Sequence, residues 1–333
     1  MKDDKIDFVI TWVDDTDEEW LKQKKKYLQE KNDESGSKIR YRNWEFLKYW
    51  FRAVEKNANW VNKIYFVTCG QVPQWLDTSN PKLVLVNHSE YIPNEYLPTF
   101  NSNVIEMFFN RIDGLSNKFV YFNDDVILTD KVEKTDFFCG DKVKDALIFN
   151  AVSIKGKNSI IEHTILNDLE LLSKYFTKRQ VEENNRGKIY NPKYGKLAIK
   201  SFLLKPWKYF TGMENMHTTM PYIKETWDEV WNKEENELLS TAKNKFRTKY
   251  DYNHWLFKYW QMFKGNFEIV NYKKHKYYDL KNENVDFCND VLKKKYKVVC
   301  INDSDENLNF DLVKEELHQM FEKMYPNKSI FEK

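Results

Sequence analysis

The stretch YFNDDVIL, residues 121–128, places two adjacent carboxylates, Asp124 and Asp125, between an apolar run that reads as a buried strand and a second apolar run, Val126–Leu128. A helix cap or a turn needs one carboxylate, and two like charges beside a core repel unless a cation compensates them. A divalent ion on a diphosphate does so, because Mg²⁺ commonly takes one or two carboxylates together with phosphate oxygens. A second acidic run, WVDDTD at 12–17, also comes after a strand-like segment, and there a cap or turn competes equally with a ligand role. Arg40 and Arg42 precede a helix and can reach a phosphate, whereas Arg52 falls on the face expected to be solvated. Asn101, Ser102 and Asn103 stand in a row before another helix: one caps it, and the others suit hydrogen bonds to sugar hydroxyls. His217 precedes a helical pattern, and a lone histidine is more often structural than catalytic. Arg247 and Asp251 have the i,i+4 spacing of an ion pair on a helix surface.

These groups need a scaffold. Strand-like runs at Asp7–Val13, Lys63–Cys69, Lys82–Asn87 and Lys118–Phe122 alternate with helical patterns in 41–58 and 103–115. In the first helix Leu47, Phe51 and Val54 share a face. In the second, Val104, Phe108, Ile112 and Leu115 do, with Asn103 and Glu106 as a capping box and Gly114 as a stop. Such alternation implies an α/β fold with a mostly parallel sheet, whose ligands sit beyond the carboxyl ends of the strands. Both acidic runs fall there. Residues 151–210 are basic and tyrosine-rich and read as an insertion. The patterns at 225–265 are helical again, with a helix opening near Pro221 and an aromatic stripe, Trp255, Tyr259 and Phe263, that belongs to the core. A last strand ends near residue 303. An amphipathic helix comes after it, with Leu312, Leu317, Met320 and Phe321 partly in register. The expected organisation is an α/β core at 1–150, a basic insertion at 151–210, the remainder of the core at 211–310 and a C-terminal helix at 311–333.

The bulk numbers exclude several classes. With 53 basic and 51 acidic residues, global charge does not argue for nucleic acid. The four cysteines, Cys69, Cys139, Cys288 and Cys300, are too scattered for zinc or a disulfide framework, so reduced thiols are expected. The apolar run near the N-terminus, about eight residues, is too short for a signal peptide or a membrane span. A cytoplasmic protein is expected, with peripheral contact at the inner face of the membrane left open.

Taken together the motifs resemble the Stealth family of sugar-1-phosphate transferases. IDFVITWVDDTDEEW resembles its first conserved region. RYRNWEFLKYWFRAVEKNANWVNKIYFVTCGQVPQWL through LPTFNSNVIEMFFNRIDGLSNKFVYFNDDVIL resembles the second, MHTTMPYIKETWDEVW with NKFRTKYDYN the third, and VVCINDSDEN the fourth. Residues 151–210 and the tail after 310 fall outside these motifs. One departure is Asp15, where the family's first region usually has glycine; either the backbone differs there or Asp15 adopts the left-handed conformation.

The resemblance implies a GT-A-like nucleotide-sugar-binding fold, a UDP-sugar donor (typically UDP-GlcNAc) and Mg²⁺ or Mn²⁺. The acceptor would be an oligosaccharide or a lipid-linked saccharide, with release of UMP. On that basis Asp124 and Asp125, with Asn302 and Asp303, would hold the metal. Thr11, Trp12, Asp14 and Asp17 would contact the donor's nucleoside end, and Asn101, Asn103 and Glu106 the sugar. Arg247, oriented by Asp251, would neutralise the transferring phosphoryl group, and His217 would serve as general base. Lys174, Lys178 and Arg179 in the insertion would meet an acceptor or an anionic membrane. Two other classes share the fold: a metal-dependent glycosyltransferase, whose cue would be a strict DxD in place of NDD, and a non-catalytic carbohydrate-binding protein.

Overall fold

The computed structural model describes residues 4–31, 42–154, 156, 159–305 and 307–333. Its centre is a five-stranded sheet. Strands β1 (Ile6–Thr11), β2 (Ile64–Thr68), β3 (Leu83–Asn87) and β4 (Lys118–Phe122) run parallel in the spatial order β3-β2-β1-β4, and Met220–Ile223 closes the β4 edge antiparallel. This is the mostly parallel α/β sheet expected. Every residue of β2 and β4 is buried, which is why these strands read as unbroken apolar runs rather than alternating ones. The one acid inside β1, Asp7, is fully buried. It accepts from Asn62 Nδ2 (2.7 Å), Lys63 N (3.1 Å) and Ser116 N (2.8 Å), so its charge is met by local donors.

Parallel order makes the strands deliver their carboxyl ends to one edge. β1 reaches β2 through helices Glu18–Lys31 and Leu47–Asn57. β3 reaches β4 through Ser102–Met107 and a 3₁₀ turn, Phe109–Arg111, so the second crossover helix is shorter than the 103–115 expected. Its cap is Asn101, which accepts from Asn103 N at 3.0 Å; the capping role expected of Asn103 falls two residues earlier. Val104, Phe108, Ile112 and Leu115 are nevertheless all buried.

After β4 the chain turns at once into β5 (Val126–Leu128), which leaves the main sheet. β5 pairs antiparallel with Val298–Asn302, and that strand pairs parallel with His275–Asp279. This second small sheet brings the end of the chain's last strand to the acidic loop, with Ile301 N donating to Asp125 O at 2.8 Å.

Several expectations change. Pro221 lies within a strand, opposite Val120, rather than opening a helix. An edge strand tolerates proline because its N–H side need not pair, and the helix begins at Lys224. Arg52 is not solvated: the C-terminal segment folds over it. Its guanidinium donates to Glu332 at 2.8 Å through Nε and again through Nη2, and to the Tyr325 carbonyl at 2.8 Å. On the C-terminal helix, Phe310–Met324, the buried face is Val313, Leu317, Met320, Phe321 and Met324, and Leu312 points outward. The stripe Trp255, Tyr259 and Phe263 is buried as expected, with Phe257 of the same helix stacked on Trp227 at 3.9 Å.

Candidate active site

The acidic loop is a three-residue turn closed by Val126 N donating to Asn123 O (3.1 Å). Asp125 uses its two oxygens differently. Oδ2 lies 3.1 Å from His217 Nε2 and 3.4 Å from Cys300 Sγ, while the buried Oδ1 has no hydrogen-bond partner among the described residues. The His217, Asp125 and Cys300 ligand atoms lie within 4.8 Å of one another. Asp124 opens onto the cleft but is walled in by protein, and the resulting desolvation, together with the neighbouring Asp125 charge, pushes its pKa up to about 7. Burial opposes charging His217, but the Asp125 carboxylate and its hydrogen bond outweigh that and raise the imidazole's pKa. Asn123 Nδ2 lies 3.0 Å from the same ring nitrogen, His217 Nε2, and Asn123 Oδ1 accepts from Tyr121 OH.

Tyr121, the fourth residue of β4, ties this turn to the wall. Its hydroxyl lies 3.1 Å from Thr11 Oγ1 at the end of β1 and 2.9 Å from Glu106 Oε1. Burial pushes Glu106 up to about 7 against the pull of Arg247 and the Tyr121 hydroxyl. His254 Nε2 lies 3.6 Å from Glu106 Oε2, and its Nδ1 is 2.6 Å from Tyr222 OH. Burial, with His217, Lys258 and Arg247 nearby, drives His254 far below the usual histidine range, so it stays neutral. Arg247 Nη2 donates to Ser102 Oγ.

Two cavities meet at Asp124 and Asp125. One, of about 350 Å³, is lined by Thr11, Trp12, Asn103, Glu106, His217 and Arg247 among others. The other, of about 590 Å³, is lined by Trp12, Asp15, Arg42, Trp44, Asn302 and Asp303 with the same acidic pair and Arg247. The fold thus gathers Thr11, Trp12, Asn103, Glu106, Asp124, Asp125, His217 and Arg247 around one space.

Other candidates are engaged elsewhere. Asp14 Oδ1 accepts from Thr16 N (3.0 Å) and Oγ1 (2.6 Å), and Asp17 Oδ1 from Trp20 N (2.7 Å), as a cap of helix Glu18–Lys31. Asn101 is fully buried, so it does not face a sugar. Asp251 makes no direct pair with Arg247 among the described residues, and residues 243–254 form no helix that would bring them together. Its buried carboxylate accepts from Asn101 Nδ2 (2.8 Å), Asn103 Nδ2 (3.2 Å), Asn244 Nδ2 (2.8 Å) and Thr248 N (3.0 Å). It therefore shapes the loop that carries Arg247 and anchors it to the start of the Ser102–Met107 helix. Arg42 Nη1 pairs with Asp303 Oδ1 at 3.2 Å rather than presenting a free cation to phosphate. Arg40 lies outside the described residues.

That pairing also revises the metal set. Asp303 is spanned by Arg42 and by Trp44 Nε1 (3.2 Å), and Asn302 Nδ2 donates to Asp279 (2.6 Å). The groups that fit a hard divalent ion are Asp124 and the free Oδ1 of Asp125, two carboxylates whose mutual repulsion a cation would relieve. Cys300, soft and buried, suits Mg²⁺ or Mn²⁺ poorly. Asp15, which replaces the usual glycine, does not adopt a left-handed backbone: among described non-glycine residues only Glu45 and Lys294 have positive φ. Its Oδ1 is buried without a partner.

Sequence reasoning did not single out Tyr121, His254, Cys300 or Trp44. Tyr121 and Cys300 look like core strand residues, and His254 sits in an irregular loop with no periodicity to expose its role. Only the long-range fold places them here.

Models of the Stealth protein conserved regions match the chain: conserved region 1 over residues 4–31, conserved region 2 over 40–146 and conserved region 4 over 289–333. The last match includes the C-terminal helix, which the motifs alone had left outside. Capsular polysaccharide phosphotransferase WcwK of Streptococcus pneumoniae is 46% identical over 332 residues, 99% of this chain and 98% of that protein. Receptor polysaccharide phosphotransferase WefC of Streptococcus oralis is 40% identical over 335 residues, 98% of this chain and 99% of that protein. Among solved structures, the galactosyltransferase LgtC with donor and acceptor sugar analogs aligns with a TM-score of 0.41 at 11% identity, covering 95% of each chain.

Proposed function

Because the chain belongs to the Stealth family and is a polysaccharide phosphotransferase, we propose that it moves a sugar-1-phosphate, GlcNAc-1-phosphate in the first instance, from a UDP-sugar to a saccharide hydroxyl. The acceptor is an oligosaccharide or a lipid-linked saccharide of a capsule or other cell-surface polysaccharide. The observation that carries this reading is the adjacent carboxylates Asp124 and Asp125, the latter with its Oδ1 unpartnered, which line with Arg247 the place where two cavities meet. That juxtaposition offers a place for a diphosphate with room on both sides.

Phosphoryl transfer asks a protein mainly for positioning and charge neutralisation. Asp124 and Asp125 Oδ1 would hold Mg²⁺ or Mn²⁺, which when bound neutralises the diphosphate. Arg247, held by Ser102, matches two phosphate oxygens with its planar fork. An acceptor oxygen bonds to the β-phosphorus as the bond from that phosphorus to the bridging oxygen breaks. The electron pair leaves with UMP, and the hydroxyl proton passes to His217. Asp125 Oδ2, 3.1 Å from the imidazole, stabilises the resulting charge. Asn103 and Glu106 suit the sugar, and Thr11 and Trp12 the nucleoside end.

The test is product chemistry. Incubation with UDP-GlcNAc, Mg²⁺ and a capsule-type oligosaccharide should yield UMP and a phosphodiester visible by ³¹P NMR. Stoichiometric UDP with no phosphorus in the product would move the protein to the glycosyltransferases. Donor binding without either product would make it a carbohydrate-binding protein.

A further inference from the structure

The basic side chains first expected to meet an acceptor or an anionic membrane are each paired with a carboxylate of this chain. Lys174 pairs with Glu234 (3.0 Å), the buried Lys178 with Glu182 (2.9 Å) and Arg179 with Glu183 (2.9 Å). The next segment differs. From Asn184 to Met213 the chain carries seven Lys or Arg residues and no Asp or Glu. Within it lies the helix Lys196–Leu203, followed by the loop to Phe210.

This helix has two unlike faces. The inner one is fixed: Ser201 is fully buried, its Oγ accepts from Phe149 N at 2.9 Å, and Leu197 and Ala198 pack on a small cluster of Ala146, Ile148, Tyr194 and Val270. The outer one is apolar. Ile199, Phe202 and Leu203, at i, i+3 and i+4, are 56%, 64% and 65% exposed, and just beyond them Trp207 and Tyr209 are 54% and 72% exposed. A monomeric soluble surface scatters such side chains singly, and five of them within eleven residues mark a contact surface. Lys193, Lys196, Lys205 and Lys208 are exposed around them and have no acidic partner among the described residues. Apolar side chains flanked by lysines, with Trp and Tyr at the margin, are what an interfacial helix on an anionic bilayer requires. No described helix is long and apolar enough to cross a membrane, so a contact of this kind lies on the surface.

We propose that residues 196–209 form a peripheral docking surface for an anionic lipid bilayer. The apolar side chains enter the headgroup region, and the flanking lysines face acidic lipid. The lysines decide between partners: a purely apolar face would suit a second copy of the chain, whereas a ring of one sign favours a surface of the opposite sign. The proposal is independent of the transfer chemistry.

The experiment is flotation of the full chain with vesicles of phosphatidylcholine alone, or with about one third phosphatidylglycerol. Binding is expected only to the anionic vesicles and should weaken with salt. Phe202→Ser/Leu203→Ser/Trp207→Ser should weaken it roughly 10-fold or more, and so should Lys196→Glu/Lys205→Glu/Lys208→Glu. Because the substituted side chains are exposed, melting and transfer to a soluble oligosaccharide should stay at wild-type level, which separates failure here from failure of the enzymatic reading. The proposal is overturned if the wild-type chain does not float, or if the apolar triple variant floats equally well. It is also overturned if light scattering shows a dimer that this variant dissociates while vesicle binding is absent, since the face would then join two copies.

Discussion

Two acidic loops leave the same edge of the sheet, one after β1 and one after β4, and they have opposite fates. After β1 the chain enters a helix, whose first turn offers unpaired N–H groups. Asp17 is consumed there by Trp20 N, and Asp14 by Thr16. Gln71 clasps the same loop, accepting from Asp14 N at 2.7 Å and donating to Asp14 O at 2.9 Å. After β4 the chain enters another strand within three residues, so no helix N-terminus is available. Asp125 Oδ1 is left without a donor, and Asp124 lies beside a second negative charge. Acidity at a strand end therefore does not identify a ligand site. The element the chain enters next, helix or strand, decides whether the charge of the acid is spent locally or kept for a ligand. Asp15 is the exception within the first loop: unlike its neighbours it keeps a free Oδ1, and it lines the larger cavity.

The largest contrast should come from matched substitutions in the two loops. Asp125→Asn keeps size and removes charge at the meeting point of the cavities. It should lower kcat for UMP release by about 10²–10³-fold or more. Asp14→Asn removes a charge already satisfied by Thr16 and should leave kcat within a few-fold. Equal losses in both would mean that the first loop also holds the diphosphate, and equal retention would detach the acidic pair from the chemistry.

Arg247 sharpens the same contrast on the cationic side. Arg52 and Arg42 are consumed by carboxylates, Glu332 and Asp303, whereas the described contact of Arg247 is a neutral hydroxyl, Ser102. Glu106 feels the charge of Arg247 but makes no close ion pair with it among the described residues, so the guanidinium is available to an anionic ligand. Arg247→Lys keeps the charge and loses the fork, so kcat/KM should fall by about 10²-fold, close to the loss in Arg247→Ala. Steady-state kinetics with thermal melts checks this. A variant with a lowered Tm and wild-type kcat would make Arg247 a structural residue of its loop.

How much of this was legible in the sequence depended on contact range. The core strands and the buried helix faces come from local pattern: β4 has the bounds expected, and the ends of β1, β2 and β3 differ by at most two residues. The acidic pair was legible because two like charges beside a strand have no local remedy. Residues whose partners lie far along the chain were not. Arg52 looked solvated because its periodicity is polar, yet its partner Glu332 is 280 positions away. The i,i+4 spacing of Arg247 and Asp251 suggested a pair, but Asp251 is claimed by Asn101 from 150 positions away, and the segment between them never becomes a helix. Arg42 and Asp303, 261 positions apart, looked like two independent ligands and prove to bind each other. Spacing predicts contacts only inside an element that forms.

The smallest effect tests the spent side of the comparison most directly. Asp17 accepts one backbone hydrogen bond at the start of helix Glu18–Lys31, and the next two residues, Glu18 and Glu19, already place negative charge near the positive end of the helix dipole. Asp17→Ala removes the cap alone. It should cost about 1 kcal/mol of stability, and Asp17→Asn, which keeps an acceptor oxygen, should cost less. Neither change touches the charge at Asp124 and Asp125, so kcat and the dependence on divalent cation should stay at wild-type values. Chemical denaturation and steady-state kinetics on the same preparations measure both quantities. If Asp17→Asn restored stability while kcat remained more than about 10-fold down, an effect no cap of about 1 kcal/mol could produce, the Asp17 carboxylate would be acting on the substrate and the division between the two loops would fail.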